Sequence, residues 1–227
     1  MGKTRSVEEA IFPITSGSTI MVGGFGLVGA PLTLIEALTI HNADMLTIIS
    51  NNLGEEGKGL GELLRQGKIK KAIGSYFTSN REVAEMYHAG KIEVQLLPQG
   101  TFSESIRAGG AGIGGYYTPT SVSTELAIGK EIREIDGNLF CFEPALKADI
   151  ALIKAHKADE LGNLTYYKTA RNFNPVMATA ANYVIAEVDE IVEVGMLNPE
   201  EVVTPHLYVD ALVYSQKILT KEGVITI

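Results

Sequence analysis

Hydrophobic and polar positions along the chain fall into two alternating patterns. Compact, mostly apolar runs at 19–22, 45–49, 69–76 and 94–97 read as strands covered on both faces. Between them, apolar residues recur at helical spacing: Leu32, Ile35, Ala37 and Leu38, then Leu60, Leu63 and Leu64, then Val83, Met86 and Tyr87. Pro31 suits the first turn of the first of these helices, where its missing N–H costs nothing. This alternation predicts an α/β fold with a parallel sheet sandwiched between helices. Residues 109–124 break the rhythm. Gly109, Gly110, Gly112, Gly114 and Gly115 run into Tyr116-Tyr117-Thr118-Pro119-Thr120 without any period, which predicts a long glycine loop. Beyond it, 132–135 and 139–142 flank Asp136-Gly137-Asn138 and read as a hairpin on an Asp-Gly turn. Runs at 150–153 and 183–188 are further strands, with a helix over 174–181 between them, and Pro199-Glu200-Glu201 reads as a helix start. Neither a linker nor a repeat interrupts the chain, so residues 1–227 are expected to form one domain.

Charge and composition narrow the function classes. The net charge is −8, and no basic run exceeds Lys70-Lys71, which argues against a nucleic-acid partner. An anionic small ligand stays open, because backbone amides supply local positive potential. The lone Cys141 excludes an intrachain disulfide framework and any multi-cysteine zinc site. The histidines at 41, 88, 156 and 206 lack ligand spacing, so no metal site is expected. Charges at Lys3, Arg5, Glu8 and Glu9 interrupt any signal-peptide core, and no run approaches the ~18 apolar residues of a membrane span. A cytoplasmic protein without membrane contact is expected.

Gly24-Phe25-Gly26-Leu27-Val28-Gly29 is a literal G-x-G-x-x-G after a strand and before a helix, the pattern of a dinucleotide site. Two details weigh against an NAD-binding oxidoreductase. Pro31 starts the helix only after the last glycine. Asp44, the acid at a suitable separation for a ribose, precedes the second strand instead of ending it. Gly23, Gly24, Gly26 and Gly29 leave backbone amides uncovered, so the loop reads either as a contact for an anion or carbonyl oxygen or as a plain tight turn.

Glu104, just before the glycine loop, is the natural candidate for a catalytic carboxylate. Thr101-x-x-Glu104 is also a capping box, which gives it a structural role instead. Gln99 follows an apolar strand, at the carboxyl end where open α/β sheets place ligands, and Asn51 and Asn52 sit at the equivalent end of an earlier strand. Such amides can donate to a carbonyl or an oxyanion but cannot serve as nucleophile or base. The residues alone describe a polar crevice without its nucleophile.

The same residues carry a resemblance. Ile20-Met21-Val22-Gly23-Gly24-Phe25 followed by Gly29-Ala30-Pro31 resembles the first signature of the class I coenzyme A transferases. Ser50-Asn51-Asn52-Leu53-Gly54, Pro98-Gln99-Gly100-Thr101 and Arg107-Ala108-Gly109-Gly110-Ala111-Gly112 match as well. So do Lys157-Ala158-Asp159, Gly162-Asn163-Leu164 and Ala170-Arg171-Asn172-Phe173. The likeness is to the A (alpha) subunit of the 3-oxoacid, acetate and butyrate–acetoacetate transferases. Ser16 departs from the Asp or Asn of the signature, at a position that only starts a turn.

The resemblance implies a three-layer α/β/α fold with a mainly parallel sheet, an architecture shared with sugar-phosphate isomerases and sugar-sensing regulators. It implies a B (beta) partner subunit in an αβ or α2β2 assembly. It implies ping-pong transfer of CoA between a short-chain acyl-CoA (acetoacetyl-CoA, acetyl-CoA or butyryl-CoA) and a short-chain carboxylate, with no permanently bound cofactor. The nucleophile is then a glutamate of the B subunit, in a Ser-Glu-Asn-Gly stretch to which Ser50-Asn51-Asn52 corresponds here. Gln99 matches the oxyanion-hole glutamine. Gly24, Phe25, Gly26, Leu27, Val28, Gly29 and Ala30 match a loop that contacts CoA, and Asn51 and Asn52 would line the pantetheine or acyl end. Leu27, Val28 and Phe77 would border the acyl pocket. The alternative is a non-catalytic sensor of the same fold, against which the joint presence of Gln99, Asn51 and Asn52 argues.

Overall fold

A computed structural model describes residues 2–220 and 223–226. In chain order the first half comprises α1 (Val7–Ile11), β1 (Thr19–Val22), α2 (Leu32–Ile40), β2 (Leu46–Ile49), α3 (Leu60–Arg65), β3 (Ile69–Gly74), α4 (Arg81–His88), β4 (Glu93–Leu96) and α5 (Gln99–Gly110). The second half comprises β5 (Gly115–Thr118), β6 (Ile132–Ile135), β7 (Asn138–Pro144), β8 (Ala148–Asp159), β9 (Leu164–Thr165), α6 (Asn174–Ala178), β10 (Ala181–Val192), β11 (Ala211–Tyr214), β12 (Lys217–Thr220) and β13 (Gly223–Thr226).

The main sheet runs β11-β10-β8-β1-β2-β3-β4, every neighbouring pair parallel, with β9 added antiparallel on β8. Both faces are covered, and side chains alternate between them with the pleat. Ile20, Val22, Ile48, Ile150 and Leu152 pack beneath α1–α4, whereas Met21, Ile49, Ala151 and Ile153 pack against Phe102 and Ile106 of α5 and Met177 of α6. The α/β/α layering expected from the apolar runs is present. Among the described residues, no helix is long and apolar enough to cross a membrane.

The structure corrects several expected elements. The glycine stretch is not a structureless loop: Gly109 and Gly110 close α5, and Gly115 opens β5. Close packing explains these glycines, since a Cβ on Gly109 would lie 1.9 Å from the Leu146 carbonyl oxygen and one on Gly110 would lie 2.1 Å from Thr179 Oγ1. β5 pairs with β7, and β7 with β6, in a separate antiparallel sheet whose β6–β7 turn is Asp136-Gly137 as expected. The capping box fails because α5 begins at Gln99, two positions before Thr101. Thr101 lies inside the first turn, and Glu104 instead pairs with Arg107 on the surface. The helix expected over 174–181 stops at Ala178, and Pro199–Glu201 is a single 3-10 turn capped by Asn198.

Two contacts fix the loop between β1 and α2, which sits on the carboxyl edge of the sheet. Asn172, held at φ 22°, accepts from the Gly24 N–H at 3.1 Å and donates to the Val28 carbonyl at 3.0 Å. Asn174, fully buried, donates to the Gly29 carbonyl at 3.0 Å and accepts from the Lys154 N–H at 2.8 Å. This clamp requires glycine at 23 and 29: a Cβ would meet Asn174 Oδ1 at 1.8 Å and the Ala170 carbonyl oxygen at 2.2 Å, respectively. From the other side, Glu187 of β10, fully buried, accepts from the Thr33 and Leu34 N–H groups at 2.9 and 3.3 Å. A carboxylate from a neighbouring strand thereby caps α2, whose own N-cap, Pro31, offers no side-chain oxygen. Lys154 lies 3.4 Å from the same carboxylate and 2.6 Å from Asp189. Burial raises the Glu187 carboxyl above its ordinary value, and Lys154, the Leu34 N–H and the Thr33 hydroxyl pull it back.

Glu187→Ala is expected to destabilise the fold by about 2–4 kcal/mol, measured by urea unfolding, because the α2 amides lose their acceptor inside the core. In the same assay Gly29→Ala should cost about 3 kcal/mol through backbone clash and left-handed strain, whereas Gly26→Ala, which meets only open space, should cost about 1 kcal/mol.

Candidate active site

Parallel strands place the loops after β1, β2, β3 and β4 on one edge, where ligands of open α/β sheets bind. Ser50, Asn51 and Asn52 follow β2, Ser75 follows β3, and Gln99 follows β4 as the first residue of α5. The three amide residues singled out in the sequence therefore converge. Asn51 Nδ2 donates to Gln99 Oε1 at 2.8 Å and to Ser75 Oγ at 2.8 Å. Ser75 Oγ in turn donates to Gln99 Oε1. Asn52 Nδ2 donates to Asn51 Oδ1 at 3.1 Å, and Asn52 Oδ1 accepts from the Gly54 N–H at 2.9 Å.

Burial differs sharply across this set. Asn51 and Asn52 are 1% and 5% exposed, and Gln99 is exposed. The Gln99 Nε2 group makes no hydrogen bond with the described residues, so two N–H bonds are available to a ligand. The apolar run read as strand over 69–76 hides Ser75 in its interior, whereas β3 ends at Gly74 and leaves Ser75 at the carboxyl edge beside Gln99 and the two asparagines.

A crevice of about 520 Å³ opens beside Gln99, lined among others by Phe25, Ser103, Arg171, Asn172 and Phe173. Phe173 stacks edge-on against Phe102 of α5, with ring centroids 5.3 Å apart, which joins the Asn172 segment to the helix that carries Gln99. The Arg171 guanidinium forms no hydrogen bond or ion pair with the described residues. Among the described residues the lining contains no carboxylate, imidazole or thiol. Sequence reasoning did not single out Arg171, although it lies within the matching motif Ala170-Arg171-Asn172-Phe173, and that membership is the only signal the sequence offers.

The glycine loop contributes to the same edge. Phe25 and Val28 bond to each other through both backbone N–H groups, at 3.0 and 3.2 Å, and close a tight four-residue hairpin. Asn172 occupies the Gly24 N–H, so the loop amides left without a partner among the described residues are those of Gly26, Leu27 and Gly29. α2 begins only at Leu32, past Ala30 and Pro31, and the glycines do not open onto a helix N-terminus as a dinucleotide site requires. Phe25 and Val28 are exposed, whereas Leu27 is buried, and it and Phe77 pack with the core beneath α2–α4. None of Leu27, Val28 and Phe77 lines the crevice at Gln99. Glu104, half-buried and ion-paired, has its carboxyl held below the ordinary value by the Arg107 guanidinium. Among the described residues no group of three or more metal-ligating side chains comes together.

Comparison with known proteins accords with this geometry. Residues 4–215 match the coenzyme A transferase family. The chain is 50% identical over 211 residues to the A-type subunit of the 3-oxoadipate CoA-transferase of Pseudomonas putida, covering 92% of this chain and 91% of that protein. It is 43% identical over 215 residues to the alpha subunit of the acetate CoA-transferase of Escherichia coli K12, covering 95% and 98%. Its fold matches an acyl-CoA transferase from Escherichia coli O157:H7, solved as a thioester complex with CoA, with a TM-score of 0.83. At 23% identity that match speaks for the fold; it covers 94% of this chain and 47% of that longer one. The protein belongs to the coenzyme A transferase family, among the chains that form its A-type, or alpha, subunits.

Proposed function

We propose that the chain is one half of a heteromeric enzyme that moves CoA between an acyl-CoA and a carboxylate, with the nucleophilic glutamate on the B subunit. One observation carries this: the crevice holds an unpartnered donor at Gln99 and no carboxylate of its own. In the ping-pong sequence the partner's glutamate attacks the acyl-CoA carbonyl, forming a mixed anhydride and free CoA thiolate. The thiolate attacks the glutamyl carbonyl, expelling the first carboxylate and leaving an enzyme–CoA thioester. The incoming carboxylate attacks that thioester, and the released thiolate attacks the new acyl carbonyl, regenerating the glutamate. Each step places negative charge on a carbonyl oxygen, which the Gln99 NH2 group is free to receive. The unpaired amides of Gly26, Leu27 and Gly29 and the exposed Phe25 suit a contact with CoA. CoA enters as substrate, and no resident cofactor takes part.

The acyl group is read in two ways. Acetate, butyrate and acetoacetate follow from the sequence resemblance, and acetate from the Escherichia coli relative. Arg171 favours a dicarboxylic acyl group, such as the one named for the Pseudomonas putida relative, because an unpaired guanidinium in a crevice without acids suits a second carboxylate.

The test is CoA exchange between acetoacetyl-CoA and acetate, or succinyl-CoA and acetoacetate, with this chain alone and with its partner subunit. Activity is expected only with the partner, and Gln99→Ala should lower kcat by about 10²–10³ while the assembly persists on gel filtration. Full activity from the isolated chain would sink the half-site reading and make Glu104 the carboxylate to replace. For specificity, Arg171→Met is expected to raise KM for a dicarboxylic substrate by about 10–100-fold and to leave acetate nearly unchanged. An equal rise with every acyl-CoA would instead assign Arg171 to a phosphate of CoA.

A further inference from the structure

We propose that Asn52 and Ser75 are positioning residues that act through Asn51 to hold the Gln99 side chain with its NH2 group toward the crevice. The catalytic consequence rests on the transferase reading above; the orientation itself does not. The polarity begins at a group that cannot reverse. A backbone N–H only donates, and that of Gly54 meets Asn52 Oδ1 at 2.9 Å, so Nδ2 is the atom Asn52 turns toward Asn51. Asn51 accepts that bond through Oδ1 and is left with Nδ2 facing Ser75 and Gln99. Ser75, accepting from Asn51, sends its own proton to Gln99. Gln99 Oε1 thus takes two donors, and its nitrogen is the end that remains outside.

An unconstrained glutamine amide has two orientations of nearly equal shape, one of which would aim an oxygen at a developing oxyanion and repel it. The chain of bonds leaves one. The lever is stiff as well as polarised, because the Ser75 and Tyr76 N–H groups both donate to the Asn51 carbonyl, at 3.1 and 3.0 Å, and lock the end of β3 to the turn after β2. The asparagines are buried, and neither has to touch a ligand for this role.

Asn52→Asp keeps the shape and the Gly54 bond, but its carboxylate can only accept. Asn51 must then turn its nitrogen inward, present oxygen to Gln99, and force Gln99 to present oxygen to the crevice. In the enzyme assembled with its partner subunit, two measurements decide the matter. The ¹⁵N-labelled Gln99 side-chain NH2 should exchange with water rapidly in the wild type and at least about tenfold more slowly in Asn52→Asp, where both hydrogens are bonded inward. The kcat should fall about a hundredfold with KM for acyl-CoA within about threefold, and it should recover as the pH falls and the introduced carboxyl regains a proton to donate. In a Gln99→Ala background, Asn52→Asp should cause no further loss. Ser75→Ala removes one donor without adding charge, and should lower kcat about fivefold at constant KM even if the first variant does not fold. Unchanged NH2 exchange overturns the relay whatever the activity does. A loss that persists in the Gln99→Ala background overturns its catalytic role, because the new charge then acts directly. If the wild-type assembly transfers no CoA, the transferase reading fails, while the exchange measurement still decides the relay.

Discussion

Parallel strands buried on both faces send every polar strand end to a sheet edge, and each backbone and side-chain group gathered there needs a partner. On the carboxyl edge the demand is met by amides and hydroxyls. Asn172 and Asn174 take up the loop after β1, while Asn51, Asn52 and Ser75 connect the ends of β2, β3 and β4. A buried amide left facing the wrong way would cost about 1–3 kcal/mol, so these networks are directional as well as dense. The Gln99 nitrogen is what the network leaves unsatisfied at the surface of the crevice.

The glycine loop is shaped by the same requirement. Its glycines invite a reading in terms of ligand approach, yet 23 and 29 are demanded by the protein's own asparagines, which come closer than a Cβ allows. Gly26, with open space around it, is the member whose left-handed φ of 62° serves only the turn. The loop is therefore held from two sides, by Asn172 and Asn174 near its glycines and by the Glu187 carboxylate at the start of α2. Its amides at 26, 27 and 29 are presented on a rigid support and not on a flexible flap.

Legibility from sequence followed burial. The central strands were readable because parallel strands with two covered faces are continuous apolar runs, and Gln99, Asn51 and Asn52 were readable because they terminate such runs. The region around 109–118 was misread because its glycines signal looseness locally but serve close packing of α5 against Leu146 and Thr179, a tertiary reason with no local signature. The Thr101 and Glu104 spacing likewise matched a cap that the helix, starting two residues earlier, never uses. Glu187 left a trace that went unread, a single carboxylate inside the apolar run at 183–188, which burial permits only with partners. Ser75 was hidden inside a run read as strand as far as 76; β3 ends at Gly74, which puts Ser75 at the carboxyl edge with the others.

That direction bears on why such a site would be divided between two chains. At the end of β2, position 51 must donate to keep the Gln99 oxygen inward, and an amide does so where a carboxylate cannot. A glutamate placed there as nucleophile would accept, reverse Gln99, and set negative charge within hydrogen-bond distance of the group meant to stabilise an oxyanion. A carboxylate and the polarised donor thus exclude each other at this one strand end. On the reading proposed above, a carboxylate carried on a second chain reaches the crevice without occupying position 51 and leaves the donor relay intact.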